Sequence, residues 1–109
     1  MQIGFHAKNV TDENGNPAGG VVVGTGFTIS WQDGPLGRGA ERKAPNGAFV
    51  EDVIAAVIQR IEHYQTAQDG KFNCGENRVA LMHLRDALQS LEARTTSREA
   101  RGVEGTHTA

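Results

Sequence analysis

The spacing of apolar residues predicts two helices in the second half of the chain. Between residues 49 and 61 apolar side chains recur at three- and four-residue intervals, at Phe49, Val50, Val53, Ile54, Val57, Ile58 and Ile61. A narrower seam follows, formed by Leu81, Leu84, Leu88 and Leu91. A polar turn around Asp69-Gly70 separates the two patterns, so we expect the two helices to form an antiparallel hairpin.

Capping residues predict where these helices begin and end. Asn46 is expected to cap the first helix. Asn73 and Glu76, three residues apart, resemble a capping box at the start of the second helix. Gly102 is expected to stop the second helix, which leaves a short C-terminal tail.

The first 45 residues have the period of β-strands rather than helices. Ile3 and Phe5 begin a short alternating stretch, and Asn14-Gly15 is typical of a hairpin turn. Residues 21–23 and 27–31 are predicted strands, because β-branched and aromatic residues dominate them. Ten of the 14 glycines lie in residues 1–47, which indicates a small, turn-rich sheet.

Together these patterns predict an α+β chain. A small antiparallel, glycine-rich β region covers residues 1–45, and a two-helix antiparallel hairpin with a short tail covers residues 46–109, within one compact domain. Two helices alone cannot cover both a broad apolar stripe and a leucine seam, and the small sheet covers only part of them. A partner subunit covering the rest is the economical solution, so we expect an oligomer.

Composition and charge restrict the range of functions that the protein can have. The net charge of −2 argues against long nucleic acids as ligands, since these are bound through many basic contacts. The single cysteine, Cys74, cannot form an intramolecular disulfide, which favours a reducing compartment. The sequence has no apolar run of about 18 residues and no signal-peptide pattern, so we expect a soluble cytosolic protein.

Catalytic and metal-binding patterns are weak. The four histidines are scattered, and no pair has the spacing of metal ligands on one helix with a third ligand nearby. Cys74 and His83 are nine residues apart, more than two helical turns, so they do not form a nucleophile and base. The glycine-rich run at residues 19–26 matches no phosphate-binding fingerprint. We therefore expect a binding protein rather than an enzyme, without a cofactor or metal.

A candidate phosphate site lies near the end of the second helix. Arg94, Arg98 and Arg101 follow at spacings of four and three, which places them on one helix face. Asn77 lies at the opposite end of the leucine seam. Guanidinium groups suit phosphate because each can donate two hydrogen bonds to two oxygens. The spacing alone favours a solvated last turn whose positive charges complement the helix dipole.

Aromatic side chains are candidates for stacking on a nucleobase. The set comprises Trp31, Phe49, Tyr64 and Phe72. Ordinary core packing is the favoured alternative, above all for Phe49, which belongs to the apolar stripe. Trp31 precedes the turn at residues 32–35, and side chains at a strand end can face a cleft.

Four segments carry a resemblance to a known family. They are Gly26–Pro35, Asn46–Val53, Phe72–Asn77 and Arg94–His107, which are spread over most of the chain. In this order they resemble the Thoeris anti-defence family, first type, of phage sponge proteins, which share a helical hairpin with phage anti-CBASS sponges. The last segment, R-T-T-S-R-E-A-R-G-V-E-G-T-H, is the most specific.

The resemblance implies a function as well as a fold. It implies a β region and a helical hairpin assembled as homodimers and sometimes hexamers. It implies sequestration, without cleavage, of cyclic ADP-ribose signals such as glycocyclic ADP-ribose, which TIR-domain proteins make. Capturing the signal in the cytoplasm of the infected bacterium would block Thoeris immunity. For some relatives it also implies cyclic oligonucleotides, including trinucleotides, in a separate pocket.

Site residues carried over from the family fall at the two ends of the second helix. Asn77, Arg94 and Arg98 match the polar ligand contacts, and Phe72, followed by Trp31, is the candidate for base stacking. Asn77 and Arg94 are 17 residues apart, which is about 25 Å along a helix. One compact ligand cannot touch both within one chain, so two antiparallel subunits would have to share it.

Three other functions remain open from the sequence. The protein could bind mainly cyclic di- or trinucleotides, because the hairpin is common to both sponge families. It could be a structural phage protein whose helices only oligomerise. It could also be a small enzyme whose site is completed across a subunit interface.

Overall fold

The computed structural model describes residues 4–109, so the predicted contribution of Ile3 to the first strand lies outside the described residues. Three strands are followed by two helices, with a short 3-10 helix at Gly39–Glu41 between them. The elements are β1 (Phe5–Thr11), β2 (Pro17–Gly24), β3 (Phe27–Trp31), α1 (Val50–Gly70) and α2 (Gly75–Ala100). The predicted α+β class is confirmed.

The chain divides into two compact units. One contains the chain up to Phe49 together with Glu99–Ala109, and the other contains Val50–Arg98. The first unit therefore holds the sheet, the loop that follows it and the C-terminal segment. The second holds the two helices. The assignment of residues 1–45 and 46–109 to one compact domain stays a prediction.

The three strands form an antiparallel sheet in chain order, β1-β2-β3. The predicted hairpin at Asn14-Gly15 connects β1 to β2 and is stabilised by Asp12. Its Oδ1 atom accepts the backbone N–H groups of Asn14 and Asn16, both at 2.9 Å. The bond from the Asn16 N–H lowers the pKa of the Asp12 carboxyl below its ordinary value of 3.8.

Aromatic residues share one face of the sheet. The register aligns Phe5, Gly24 and Phe27 across the three strands, and it aligns Asn9, Gly20 and Trp31 in a second row. A Cβ at Gly24 would collide with the Phe27 ring, so this glycine makes room for the aromatic side chain. The space beside Gly24 is thus occupied by a ring of the neighbouring strand.

The two helices of the second unit are antiparallel. Glu62 of α1 forms an ion pair with Arg85 of α2 at 3.2 Å, whereas Gln65, one turn later, bonds Cys74 at the start of α2. The leucine seam of α2 faces inward as predicted, with Leu81 buried and the following leucines partly covered. Neither helix within residues 4–109 is long and apolar enough to cross a membrane.

The broad apolar stripe of α1 faces two directions. Ile58 is buried, and Ile54 and Ile61 on the same face are half-buried. Val50, Val57 and Tyr64, spaced by seven residues, form a second line of side chains that is exposed in the single chain. We call this second line the outer stripe.

Two predicted helix caps are wrong. α1 begins at Val50, and the Asn46 side chain instead pairs with Asp33. Its Oδ1 accepts the Asp33 N–H at 2.8 Å, and its Nδ2 donates to the Asp33 carbonyl at 3.0 Å. Asn73 does not form the capping box, because its Oδ1 accepts a hydrogen bond from the Arg78 guanidinium. The side chains of both asparagines thus form hydrogen bonds with groups other than the ones that a helix cap would bond.

Candidate ligand-binding site

The turn between the helices is organised around the side chain of Gln65, which is only 7% exposed. Its Oε1 accepts the Cys74 N–H at 3.1 Å and the Asn77 Nδ2 at 3.0 Å. Its Nε2 donates to the Cys74 carbonyl at 3.3 Å. A buried carboxamide needs such partners, and here they join the end of α1 to the start of α2.

The backbone of the turn leaves helical geometry where the sequence predicted. Gln68, Asp69 and Gly70 all have positive φ angles, of 50°, 54° and 84°. The chain then reverses, with the Asn73 N–H donating to the Gly70 carbonyl at 3.0 Å. This conformation ends α1 around the predicted Asp69-Gly70 turn and leads directly into Phe72.

Phe72 is an exposed aromatic ring at the turn end of the hairpin. It is 53% exposed, and the Lys71 ammonium lies 5.4 Å from the centre of the ring. Tyr64, the alternative candidate, carries the Arg60 guanidinium carbon 4.9 Å from its ring centre, and Arg60 Nε donates to its hydroxyl at 3.1 Å. Each ring thus has a cation over one face, and Phe72 is the more exposed of the two, at 53% against 42% for Tyr64.

Asn77 lies at the same end of the hairpin as Phe72. Its side chain is half-buried and donates from Nδ2 to Gln65. The spacing of Asn77 with the leucine seam placed it on the inward side of α2, and its partial burial agrees with that placement. Sequence reasoning missed Gln65, although a polar residue in line with Ile58 and Ile61 was a usable signal.

The arginines near the end of α2 lie in three different environments. Arg98 is 8% exposed, so it is not part of a solvated last turn. Arg94 is exposed, and Arg101 is exposed with its Nη1 donating to the Ala109 carbonyl at 2.9 Å. A solvated side chain therefore describes Arg94 and Arg101 but is wrong for Arg98, which is the basic residue in the last turn of α2.

A single chain does not bring the two groups of site residues together. Asn77 and Arg94 lie on one continuous helix, Gly75–Ala100, so roughly 25 Å separates them. Phe72 and Asn77 form one group at the turn, and Arg94 and Arg98 form the other toward the end of α2.

Trp31 belongs to the first unit and ends β3. It is half-buried, and its backbone pairs with Ala48 in a parallel bridge. A Cβ at Gly47 would collide with the Trp31 carbonyl group, so this glycine allows the chain to approach the strand. The structure thus fixes the backbone of Trp31 tightly.

The short C-terminal tail is bonded to other residues of the first unit. Arg42 and Glu104 form an ion pair, and the Gly37 N–H donates to the Gly105 carbonyl at 2.9 Å. A Cβ at Gly105 would collide with the Gly37 carbonyl oxygen. The segment is therefore fastened to the loop between β3 and α1.

The side chains described above can bind anions and stack on aromatic rings. Guanidinium groups, a carboxamide and an exposed ring provide charge, hydrogen bonds and stacking. Within residues 4–109 no group of three His, Cys, Asp or Glu side chains is placed to hold a metal ion.

Comparisons with known proteins show the family to which the chain belongs. The family model of the Acb2/Tad1 hairpin domain matches residues 26–96, from β3 through most of α2. The protein named Thoeris anti-defense 1 from Bacillus phage SBSphiJ7 is 44% identical over 80 residues, which are 73% of this chain and 51% of that relative. The chain thus spans about half the length of this curated relative. The resemblance seen in the sequence is confirmed, and the chain belongs to the Acb2/Tad1 hairpin family.

Proposed function

We propose that this protein is a phage anti-defence sponge that binds cyclic ADP-ribose signals, in particular glycocyclic ADP-ribose, and withholds them from Thoeris immunity without cleaving them. The observation that carries the proposal is the family match along the hairpin, together with a relative named Thoeris anti-defense 1. The protein would act in the cytoplasm of the infected bacterium, where TIR-domain proteins make the signal.

The residues of the hairpin suit such a ligand. Arg94 and Arg98 provide two positive charges for a diphosphate, and the burial of Arg98 strengthens its attraction to an anion because water screens it less. Phe72 provides an exposed ring for the adenine base, and Asn77 provides a hydrogen-bonding amide. Trp31 stays a further candidate from the sequence.

The separation of the two residue groups supports a site shared between subunits. A second copy lying antiparallel along α2 would bring its Arg94 and Arg98 to the Asn77 of the first copy. The outer stripe of α1, together with exposed Val79 and Met82 on α2, supplies apolar surface for such an assembly. We therefore propose a homodimer, which could assemble further into a hexamer.

Isothermal titration with glycocyclic ADP-ribose tests the proposal. We expect tight binding by the natural protein and at least about a hundredfold loss when Arg94 and Arg98 are both changed to alanine, since each charged hydrogen-bonding group contributes roughly 1.5–3 kcal/mol. Arg85→Ala on the same helix removes one positive charge away from the proposed site and should keep the affinity. No heat of binding with the natural protein would refute the proposal.

A second candidate is a sponge for cyclic di- or trinucleotides. It is favoured by the match to a hairpin model that covers both the Acb2 and Tad1 groups of proteins. Competition titrations separate the possibilities. Mutually exclusive binding would indicate one shared pocket, whereas simultaneous binding of both ligand classes would indicate a second pocket. Binding of neither class would leave the structural, oligomerising role.

A further inference from the structure

The peptide group of Cys74 fixes the orientation of the Gln65 carboxamide. A backbone N–H can only donate a hydrogen bond, and a backbone carbonyl can only accept one. The Gln65 atom 3.1 Å from the Cys74 nitrogen must therefore be Oε1, and the atom 3.3 Å from the Cys74 oxygen must be Nε2. Because Gln65 is buried, reversing the amide would leave two mismatched polar contacts without water to relieve them.

The fixed Gln65 in turn fixes Asn77. The Asn77 atom that lies 3.0 Å from Gln65 Oε1 has to be a donor, so it is Nδ2. Asn77 Oδ1 is then directed away from Gln65, and no donor among residues 4–109 forms a hydrogen bond with it. Asn77 thus keeps an acceptor available at a half-buried position, next to the turn that carries Phe72.

We propose that Gln65 is a positioning residue, which holds Asn77 so that its Oδ1 accepts a hydrogen bond from an N–H or O–H group of the ligand. The amino group of the base and a ribose hydroxyl both have this chemistry. The inference rests on the proposed function, because it takes Asn77 as a ligand contact. It adds that the contact is specific for a donor and that a buried residue outside the ligand pocket determines this specificity.

Ligand analogues test the donor requirement on the natural protein. The parent probe is glycocyclic ADP-ribose, and the analogues carry hypoxanthine in place of adenine or lack one ribose hydroxyl. We expect one analogue to bind roughly tenfold or more weakly, because Asn77 Oδ1 would lose its partner. The analogue that weakens identifies the donor. Equal affinities for all three would overturn this inference alone, whereas no binding of the parent would overturn the proposed function with it.

Two variants test the role of Gln65. Gln65→Met keeps the length of the side chain but frees Asn77 to rotate, so we expect the preference for the parent over the weaker analogue to fall to within about twofold, losing the contribution of one hydrogen bond. Gln65→Glu loses the bond to the Cys74 carbonyl, so its melting temperature should fall, but it keeps an oxygen facing Cys74 N–H and Asn77 Nδ2, so it should retain the preference. A merely structural role would lower the melting temperature of both variants and leave the preference unchanged in both.

The test depends on how strongly each variant prefers the parent ligand to the weaker analogue, and not on its affinity for the parent alone. A folded Gln65→Met protein that still discriminates as the natural protein does would overturn the proposal. If Gln65→Met does not fold, Gln65→Glu and the natural protein decide it, because loss of discrimination in folded Gln65→Glu contradicts the assigned hydrogen-bond directions.

Discussion

Arg42 and Glu104 are joined by two hydrogen bonds, at 2.7 Å and 3.0 Å, although 62 residues separate them along the chain. The paired geometry links the loop after β3 to the segment after α2 within the first unit. The bond from Glu104 raises the pKa of the Arg42 guanidinium. Glu104 lies in the segment that most specifically resembles the family, so this ion pair gives that segment a structural role.

Replacing Arg42 with lysine tests how much this ion pair contributes to the stability of the fold. Lysine keeps the charge but cannot make two parallel bonds to one carboxylate. Because the pair is partly exposed, we expect only a small loss of stability, of a few degrees in melting temperature at most. Differential scanning calorimetry measures the shift, and Arg85→Lys in the exposed pair with Glu62 is the control. A drop of roughly 10 °C or more would show that Arg42 has a larger role.

Gly105 should resist substitution for two separate reasons. Its φ angle is +79°, and a Cβ would meet the Gly37 carbonyl. Gly26 has a φ angle of +83° with open space around it, so Gly26→Ala reports the conformational cost alone, about 1–2 kcal/mol. We expect Gly105→Ala to destabilise the protein by clearly more than Gly26→Ala in urea denaturation. Equal losses of stability in the two variants would mean that the chain at Gly37 shifts at little cost to make room for the Cβ.

The β1–β2 hairpin should loosen only in strong acid. The pKa of Asp12 is lowered in the folded protein, so its contribution to stability is present above 3.8 and is lost as the pH falls through the depressed folded pKa. Asp12→Asn can still accept the N–H groups of Asn14 and Asn16 but does not titrate. We expect this variant to lack that part of the acid dependence. An NMR titration that gives Asp12 a pKa of 3.8 or above would contradict the prediction.

The outer stripe of α1 should control assembly. Val57→Glu places a charge in the middle of this exposed apolar line, and burying it against a second chain would be costly. We expect the natural protein to be an oligomer and Val57→Glu to shift toward the monomer in size-exclusion chromatography with light scattering. Gln59→Glu, an exposed polar position on the same helix, is the control. A natural protein that is already monomeric would refute the assembly proposal.

The sequence predicted the features that depend on local patterns. The strands followed from alternation and turn dipeptides, and the inward seam of α2 followed from three- and four-residue spacing. The placement of Asn77 at one end of that seam agrees with the partial burial of its side chain. These predictions succeed because one helical or strand period determines which side chains share a face.

The features that the sequence missed depend on partners far along the chain. Asn46 bonds Asp33, 13 residues away, and Arg42 bonds Glu104. Gln65 reaches Cys74 and Asn77 only because three successive positive φ angles reverse the chain. A capping propensity describes one helix end in isolation, so it cannot show that a side chain has a better partner elsewhere.

Recovery of the bound ligand tests the central claim most directly. The protein is incubated with glycocyclic ADP-ribose, freed of unbound ligand, and denatured by heat, and the released small molecules are analysed by mass spectrometry. The account predicts intact glycocyclic ADP-ribose in proportion to the protein, and little of it from the variant with Arg94 and Arg98 both changed to alanine. Release of a ring-opened product, or of no nucleotide, would contradict the account.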